Sequence, residues 1–131
     1  MKVVIDTSAI IAVLLNEPEK DSIIELTSGV DLISPHSVHW EIGNAFSAML
    51  NRKRISLKQT NEVLSIYYAI PIQFVDVDIK QALNIAYKLG IYAYDAYIIV
   101  CSQNFKSPIL SLDQSLIEVA RKTGKKIVEV S

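Results

Sequence analysis

At 131 residues, with half of them hydrophobic, the chain is sized for one domain spanning residues 1–131 and can bury a substantial core. Its 13 basic and 14 acidic side chains leave a net charge of −1, which excludes a general pull toward polyanions or membrane surfaces. The mean hydropathy of +0.29 is high for a soluble monomer of this size and leaves apolar surface for a partner.

The single Cys101 excludes an internal disulfide and suits a reducing compartment. It sits in the apolar run Ile98-Ile99-Val100-Cys101 and reads as a core residue. Residues 3–15 superficially resemble a signal sequence, but Asp6 interrupts them and no cleavage region follows. No run reaches the roughly 18 uncharged apolar residues of a membrane span. The expectation is a soluble, cytoplasmic protein.

In chain order, Lys2-Val3-Val4-Ile5 reads as a buried strand, and Asp6-Thr7-Ser8 are helix-starting residue types ahead of Ala9 to Leu15. Pro18 opens a second helix that ends near Gly29, and Asp31 to Ser34 is a short strand before Pro35. From His36 to Leu50, Val38, Ile42, Ala45 and Met49 recur at helical spacing, with Glu41 on the same inward stripe. Ser56 and Gln59 form a capping box for a helix through Tyr68, and Ile72 to Val75 is a strand. Asp78 caps a helix ending at Gly90, and a further helix runs from about Ala93 to Phe105. Pro108 to Leu112 reads as a strand delivering Asp113, Gln114 to Lys122 as a helix stopped by Gly124, and Lys126 to Val130 as a closing strand. This alternation implies an α/β three-layer sandwich with a mostly parallel sheet of about five strands. Ligand sites in that architecture lie beyond the carboxyl ends of the strands.

Charge is segregated along the chain. Asp6 is the only formal charge in residues 3–16, Glu41 in 32–51, Asp95 in 89–105 and Asp113 in 107–117. A carboxylate in apolar surroundings either takes up a proton or finds a cation, and no Lys or Arg shares these stretches. Convergence on one divalent metal would keep all four in a single fold. Each acid also has a plainer reading. Asp6 and Asp113 could serve only as helix N-caps, Asp95 only as a first-turn carboxylate, and Glu41 could snorkel at a helix edge. Four such coincidences are needed to replace one site.

Other residues are ambiguous on sequence alone. Asn44, one turn after Glu41, could hydrogen-bond an acid or lie on a polar edge, and Ser111 could orient Asp113. His36 and His39 have a metal-compatible spacing, but no Cys or third His completes a set, so a solvated or capping pair is the better reading. Tyr92, Tyr94 and Tyr97 could stack on bases, with core packing as the default. The four glycines form no phosphate loop or dinucleotide fingerprint, and no Gly-x-Ser-x-Gly elbow occurs.

Together, Val4-Ile5-Asp6-Thr7-Ser8-Ala9, Glu41-Ile42-Gly43-Asn44-Ala45, Tyr94-Asp95-Ala96 and Leu112-Asp113 resemble the PIN domain, in particular the VapC-type toxins of prokaryotic toxin–antitoxin pairs. The likeness covers nearly the whole chain. It implies an endoribonuclease dependent on Mg²⁺ or Mn²⁺, commonly a homodimer and silenced by a small antitoxin. It assigns the acidic catalytic and metal positions to Asp6, Glu41, Asp95 and Asp113, and the accessory hydroxyl and amide to Ser8 and Asn44. Ser111 stands where the family usually has Thr and keeps the hydroxyl. Arg52, Lys53 and Arg54, following the Glu41 helix, are the first candidates for holding RNA. The alternative is a non-catalytic module of the same fold that holds RNA or protein. A receiver domain is disfavoured because no Lys follows the last strand.

Overall fold

The computed structural model describes residues 1–131. Strand β1 (Lys2–Ile5) leads through Asp6 into α1 (Thr7–Leu14), followed by α2 (Lys20–Thr27), β2 (Asp31–Pro35) and α3 (Ser37–Asn51). Then come α4 (Leu57–Ala69), β3 (Ile72–Val75), α5 (Ile79–Leu89), α6 (Ala93–Phe105), β4 (Ile109–Leu110) and α7 (Gln114–Lys122). The four strands pair in parallel in the order β3-β2-β1-β4.

Successive strand side chains point to opposite faces, yet Val3, Val4 and Ile5 of β1 are all buried, so both faces of the sheet are covered. Helix α6 lies against β1, β2 and α5, and buries six consecutive or near-consecutive residues, from Ala96 to Ser102, because it has neighbours nearly all round. Helix α1 packs against α2, α3 and α4. Cys101 is buried in the core, where burial pushes its thiol up to about 12 and leaves it unreactive at neutral pH. No helix is long and apolar enough to cross a membrane.

The sheet has four strands where about five were expected. The last segment, Lys126 to Val130, makes a single parallel bridge, Ile109 to Ile127, with hydrogen bonds from Ile109 N–H to the Lys126 carbonyl (2.9 Å) and from Val128 N–H to the Ile109 carbonyl (2.8 Å). Its alternating sequence lacks a longer partner, because β4 itself is only two residues long. The expected strand over 108–112 is accordingly shorter, and Ser111 and Leu112 form an extended link to α7.

Crossovers from β1 lead to β2 on one side, while β4 joins on the other, so the strand order reverses beside β1. The crevice at the carboxyl ends of β1 and β4 is therefore the favoured place for a ligand in this architecture. Two hydrogen bonds fix the backbone there. Asp6 N–H donates to the Leu110 carbonyl (3.2 Å), and the buried Ser34 hydroxyl donates to the Ile5 carbonyl.

Candidate active site

Four acidic side chains face one cavity of about 500 Å³. Asp6 comes from the turn between β1 and α1, Glu41 from the early turns of α3, Asp95 from the first turn of α6, and Asp113 from the N-cap of α7. Thr7, Ser8, Trp40, Asn44 and Tyr94 share the lining, which holds no Lys, Arg or His.

Asp6 is 6% exposed and sits in a directed hydrogen-bond network. Its Oδ1 accepts from the Ser8 hydroxyl (2.7 Å) and Ala9 N–H (3.2 Å), and its Oδ2 accepts from the Ser111 hydroxyl (2.6 Å). Ser8 Oγ in turn accepts from Leu112 N–H (2.9 Å), and Ser111 Oγ from Asp113 N–H (3.0 Å). A hydroxyl has one proton to give, so each amide that occupies an oxygen lone pair leaves that proton for Asp6. The 3.3 Å approach of the two serine oxygens is then a contact between groups already committed. Asp6 thus caps α1 while facing the cavity, so its capping role and its place among the acids coexist. Ser8 is unavailable as the cap because the Leu112 amide and Asp6 hold it.

Removing the Ser111 hydroxyl should therefore strip one donor from a buried carboxylate and an acceptor from the Asp113 amide. The expected cost of Ser111→Ala is roughly 1–3 kcal/mol at neutral pH. Urea unfolding of the variant beside the wild type measures it, and an unchanged midpoint would mean the network carries no stability.

The electrostatics are those of like charges crowded without a cation. Burial raises the pKa of Asp6, opposed by Ser111, Ser8 and the Ala9 amide, with the charge of Asp113 adding to the rise. Burial pushes Glu41 up to about 7, and the charges of Asp6, Asp95 and Asp113 push the same way. The Thr7 hydroxyl lies near enough to offset part of that rise, but it makes no bond of ordinary geometry and its Oγ1 is buried without a partner. Asp95 is raised by burial and then by Asp113.

The remaining sequence candidates divide. Ser8 and Ser111 both support Asp6, and Ser111 reaches Asp113 through its backbone amide rather than its carboxylate. Asn44 lines the cavity and is exposed. Arg52, Lys53 and Arg54 lie outside the cavity: Arg52 ends α3 eleven residues past Glu41, about 16 Å along the helix axis. His36 approaches Asp76 (3.3 Å), and His39 Nδ1 is hydrogen bonded to Tyr67 (2.7 Å), so the histidines do not form a metal pair. Tyr92 and Tyr94 are 89% and 51% exposed, against the core packing assumed for them, because the first turn of α6 projects beyond its covered part. Thr7 and Trp40 were missed. Each is the direct neighbour of a cavity acid, and that adjacency was the available signal.

A divalent ion fits this set by donor chemistry. The cavity offers carboxylate and hydroxyl oxygens, suited to Mg²⁺ or Mn²⁺, and no thiolate or imidazole. As they stand, no three of the acids form a closed ligand set.

Residues 3–122 match the sequence profile of the PIN domain. The chain belongs to the PIN domain family. Among solved structures, this PIN domain is similar to that of VapBC2 from Rickettsia felis bound to a DNA fragment from their promoter, at 15% identity and a TM-score of 0.74, covering 100% of both chains. It is also similar to VapC20 of Mycobacterium tuberculosis, a Sarcin-Ricin loop cleaving toxin, at 12% identity and a TM-score of 0.68, covering 97% of this chain and 98% of that one. A third likeness is to PAE2754 from Pyrobaculum aerophilum, at 19% identity and a TM-score of 0.67, covering 91% and 87%. No curated protein matches this PIN domain in sequence. At these identities the structural likenesses establish the fold.

Proposed function

We propose that the protein is an endoribonuclease dependent on Mg²⁺ or Mn²⁺, acting as the toxin of a toxin–antitoxin pair in the cytoplasm. The observation that carries this reading is the convergence of Asp6, Glu41, Asp95 and Asp113 on one cavity without a cationic side chain. Membership of the PIN family and the fold shared with VapC20 support it. Asp6, held by Ser8, Ser111 and Ala9, would be the fixed ligand, and Asp95, Asp113 and Glu41 would complete the set. When bound, the ion supplies a nucleophile at neutral pH and stabilises charge developing on the phosphodiester.

Incubating the purified protein with RNA, with and without Mn²⁺, and sequencing the product ends tests the reaction. Hydrolysis by activated water leaves a 5′-phosphate and a 3′-hydroxyl. Cyclic-phosphate ends, or cleavage undiminished by EDTA, would reject it.

The distant Arg52-Lys53-Arg54 group is a proposed backbone contact for longer RNA. Neutralising all three should weaken binding and flatten its dependence on salt, since each phosphate contact releases counterions. An unaltered salt slope would make them a solvated helix end.

For partners, the neighbour VapBC2 is a pair by its name, and a small antitoxin is proposed here. On α4, one possible wall for an antitoxin helix, Tyr67 is buried and Val63 and Leu64 are partly buried against the core, so Leu57, Ile66 and Tyr68 are the large apolar side chains presented outward. On α5, Ile79, Leu83 and Tyr87 recur every four residues and are all exposed, a stripe available to a second copy of the chain. Light scattering, alone and with the product of a small adjacent reading frame, separates homodimer from antitoxin complex.

A further inference from the structure

A second cavity of about 450 Å³ adjoins the acidic one, and its walls include His36, Trp40, Asp76, Val77, Tyr94 and Tyr97. Trp40 and Tyr94 line both cavities. Each ring belongs to the residue just before an acid, Trp40 before Glu41 on α3 and Tyr94 before Asp95 on α6. Two helices therefore fix the rings relative to the carboxylates.

Packing does not account for these rings. Trp40 is 70% exposed, and its aromatic neighbour is His39, with centroids 6.1 Å apart and the ring planes at 62°. Tyr94 is half exposed, and its aromatic neighbour is Tyr97, near-perpendicular at 6.1 Å. Each lines the boundary shared by the two cavities and retains exposed surface. The pairing of His36 Nε2 with Asp76 Oδ1 (3.3 Å) adds a polar edge to the second cavity, so it combines flat apolar walls with hydrogen-bonding groups. A nucleobase has both complements, a π-face for the rings and a polar edge for the pair. A base paired in a duplex has neither free.

We propose that the second cavity receives a base of single-stranded RNA next to the phosphodiester held at the acids, stacked on Trp40 and Tyr94. This rests on the nuclease reading above and adds where the substrate is gripped. Phosphate placement comes from the acid cavity, base placement from the aromatic boundary, and duplex RNA is excluded because its bases are stacked and paired.

Trp40 is the only tryptophan in the chain, so its fluorescence reports on this boundary alone. The full-length protein would be titrated in EDTA with a short single-stranded oligoribonucleotide, the same strand carrying abasic positions, and its duplex. The expected result is saturable quenching by the single strand, with weaker quenching by the other two. Tyr94→Ala should weaken the single-strand interaction roughly tenfold, the loss of one stacking face. In cleavage assays with Mn²⁺, Trp40→Ala should raise KM, while Trp40→Phe, which keeps a stacking face, should recover most of the loss. Both side chains are exposed, so the variants are expected to fold, and circular dichroism checks this.

Equal quenching by abasic strand or duplex would overturn the proposal in favour of backbone contact alone. So would the absence of quenching together with an unchanged KM in Trp40→Ala and Tyr94→Ala, and the nuclease reading would then survive. Base-dependent quenching in a protein that cuts no RNA would support the base site and reject the nuclease reading instead.

Discussion

Replacing Asp95 with Asn is expected to lower RNA cleavage at least a hundredfold while leaving stability in EDTA within about 1 kcal/mol of the wild type, or above it. Loss of residues that merely support metal ligands costs 10–100-fold, so loss of a ligand should cost no less. The stability side follows from the local structure. Asp95 is raised by burial and by the charge of Asp113, so its ionised form is disfavoured in the fold. As a first-turn carboxylate it gains something from the α6 dipole, a term of roughly 0.3–1 kcal/mol that the substitution forfeits. Relief of repulsion acts in the opposite direction. Thermal melts in EDTA and in Mn²⁺ separate the two roles: the ion should raise the wild-type Tm and raise that of the variant less. A large loss of stability in EDTA would make Asp95 a structural group.

The second large effect is a pH dependence centred on Glu41. Its pKa rises from an ordinary 4.5 to about 7 in the folded chain. Between those values the folded protein holds a proton that the unfolded chain has released. The stabilisation is thus complete below the unfolded value and is lost as pH rises through the folded one. The shift would correspond to about 3 kcal/mol if taken in full, but Glu41 is partly exposed, and solvent screening reduces the expectation to roughly 1–2 kcal/mol. In EDTA the wild type should therefore lose stability between pH 5 and pH 8, and Glu41→Gln should lose less. Urea midpoints for both proteins at four pH values give the difference. Parallel profiles would show that Glu41 ionises as freely in the fold as outside it. Mn²⁺ should reverse the trend, since it favours the ionised acids.

Much of the fold is written in local signals. Strand β3, α6 and α7 have the boundaries the sequence suggests, and the Ser56–Gln59 capping box and the left-handed cap at Gly90 are present. These depend on neighbours within a turn, which sequence reports well. The four isolated acids were equally legible, because charge stands out in apolar stretches. What was not legible depended on distant partners. Nothing near Ser111 indicates that its hydroxyl is spent on Asp6, 105 residues away. Residues 126–130 alternate like a strand, but β4 is too short to pair with them along their length. Arg52 to Arg54 follow the Glu41 helix in sequence, yet a helix of fifteen residues carries them to its far end. The exposure of Trp40 and Tyr94 required knowing which helix ends project past the sheet.

The shortness of β4 also sets how the site fails. Ser111 and Asp113 hang from a two-residue edge strand, joined to β1 on one side and on the other closed only by the bridge at Ile127. Terminal segments with few contacts occupy the low end of a protein's opening free energies. Loss of the 126–130 segment would uncover the outer edge of β4, from which Ser111 and Asp113 reach the acids, while β1, β2 and α6 remain covered. Hydrogen exchange is expected to release the Val128 amide before those of Val4 and Ile33, because a single bridge holds its segment to the sheet.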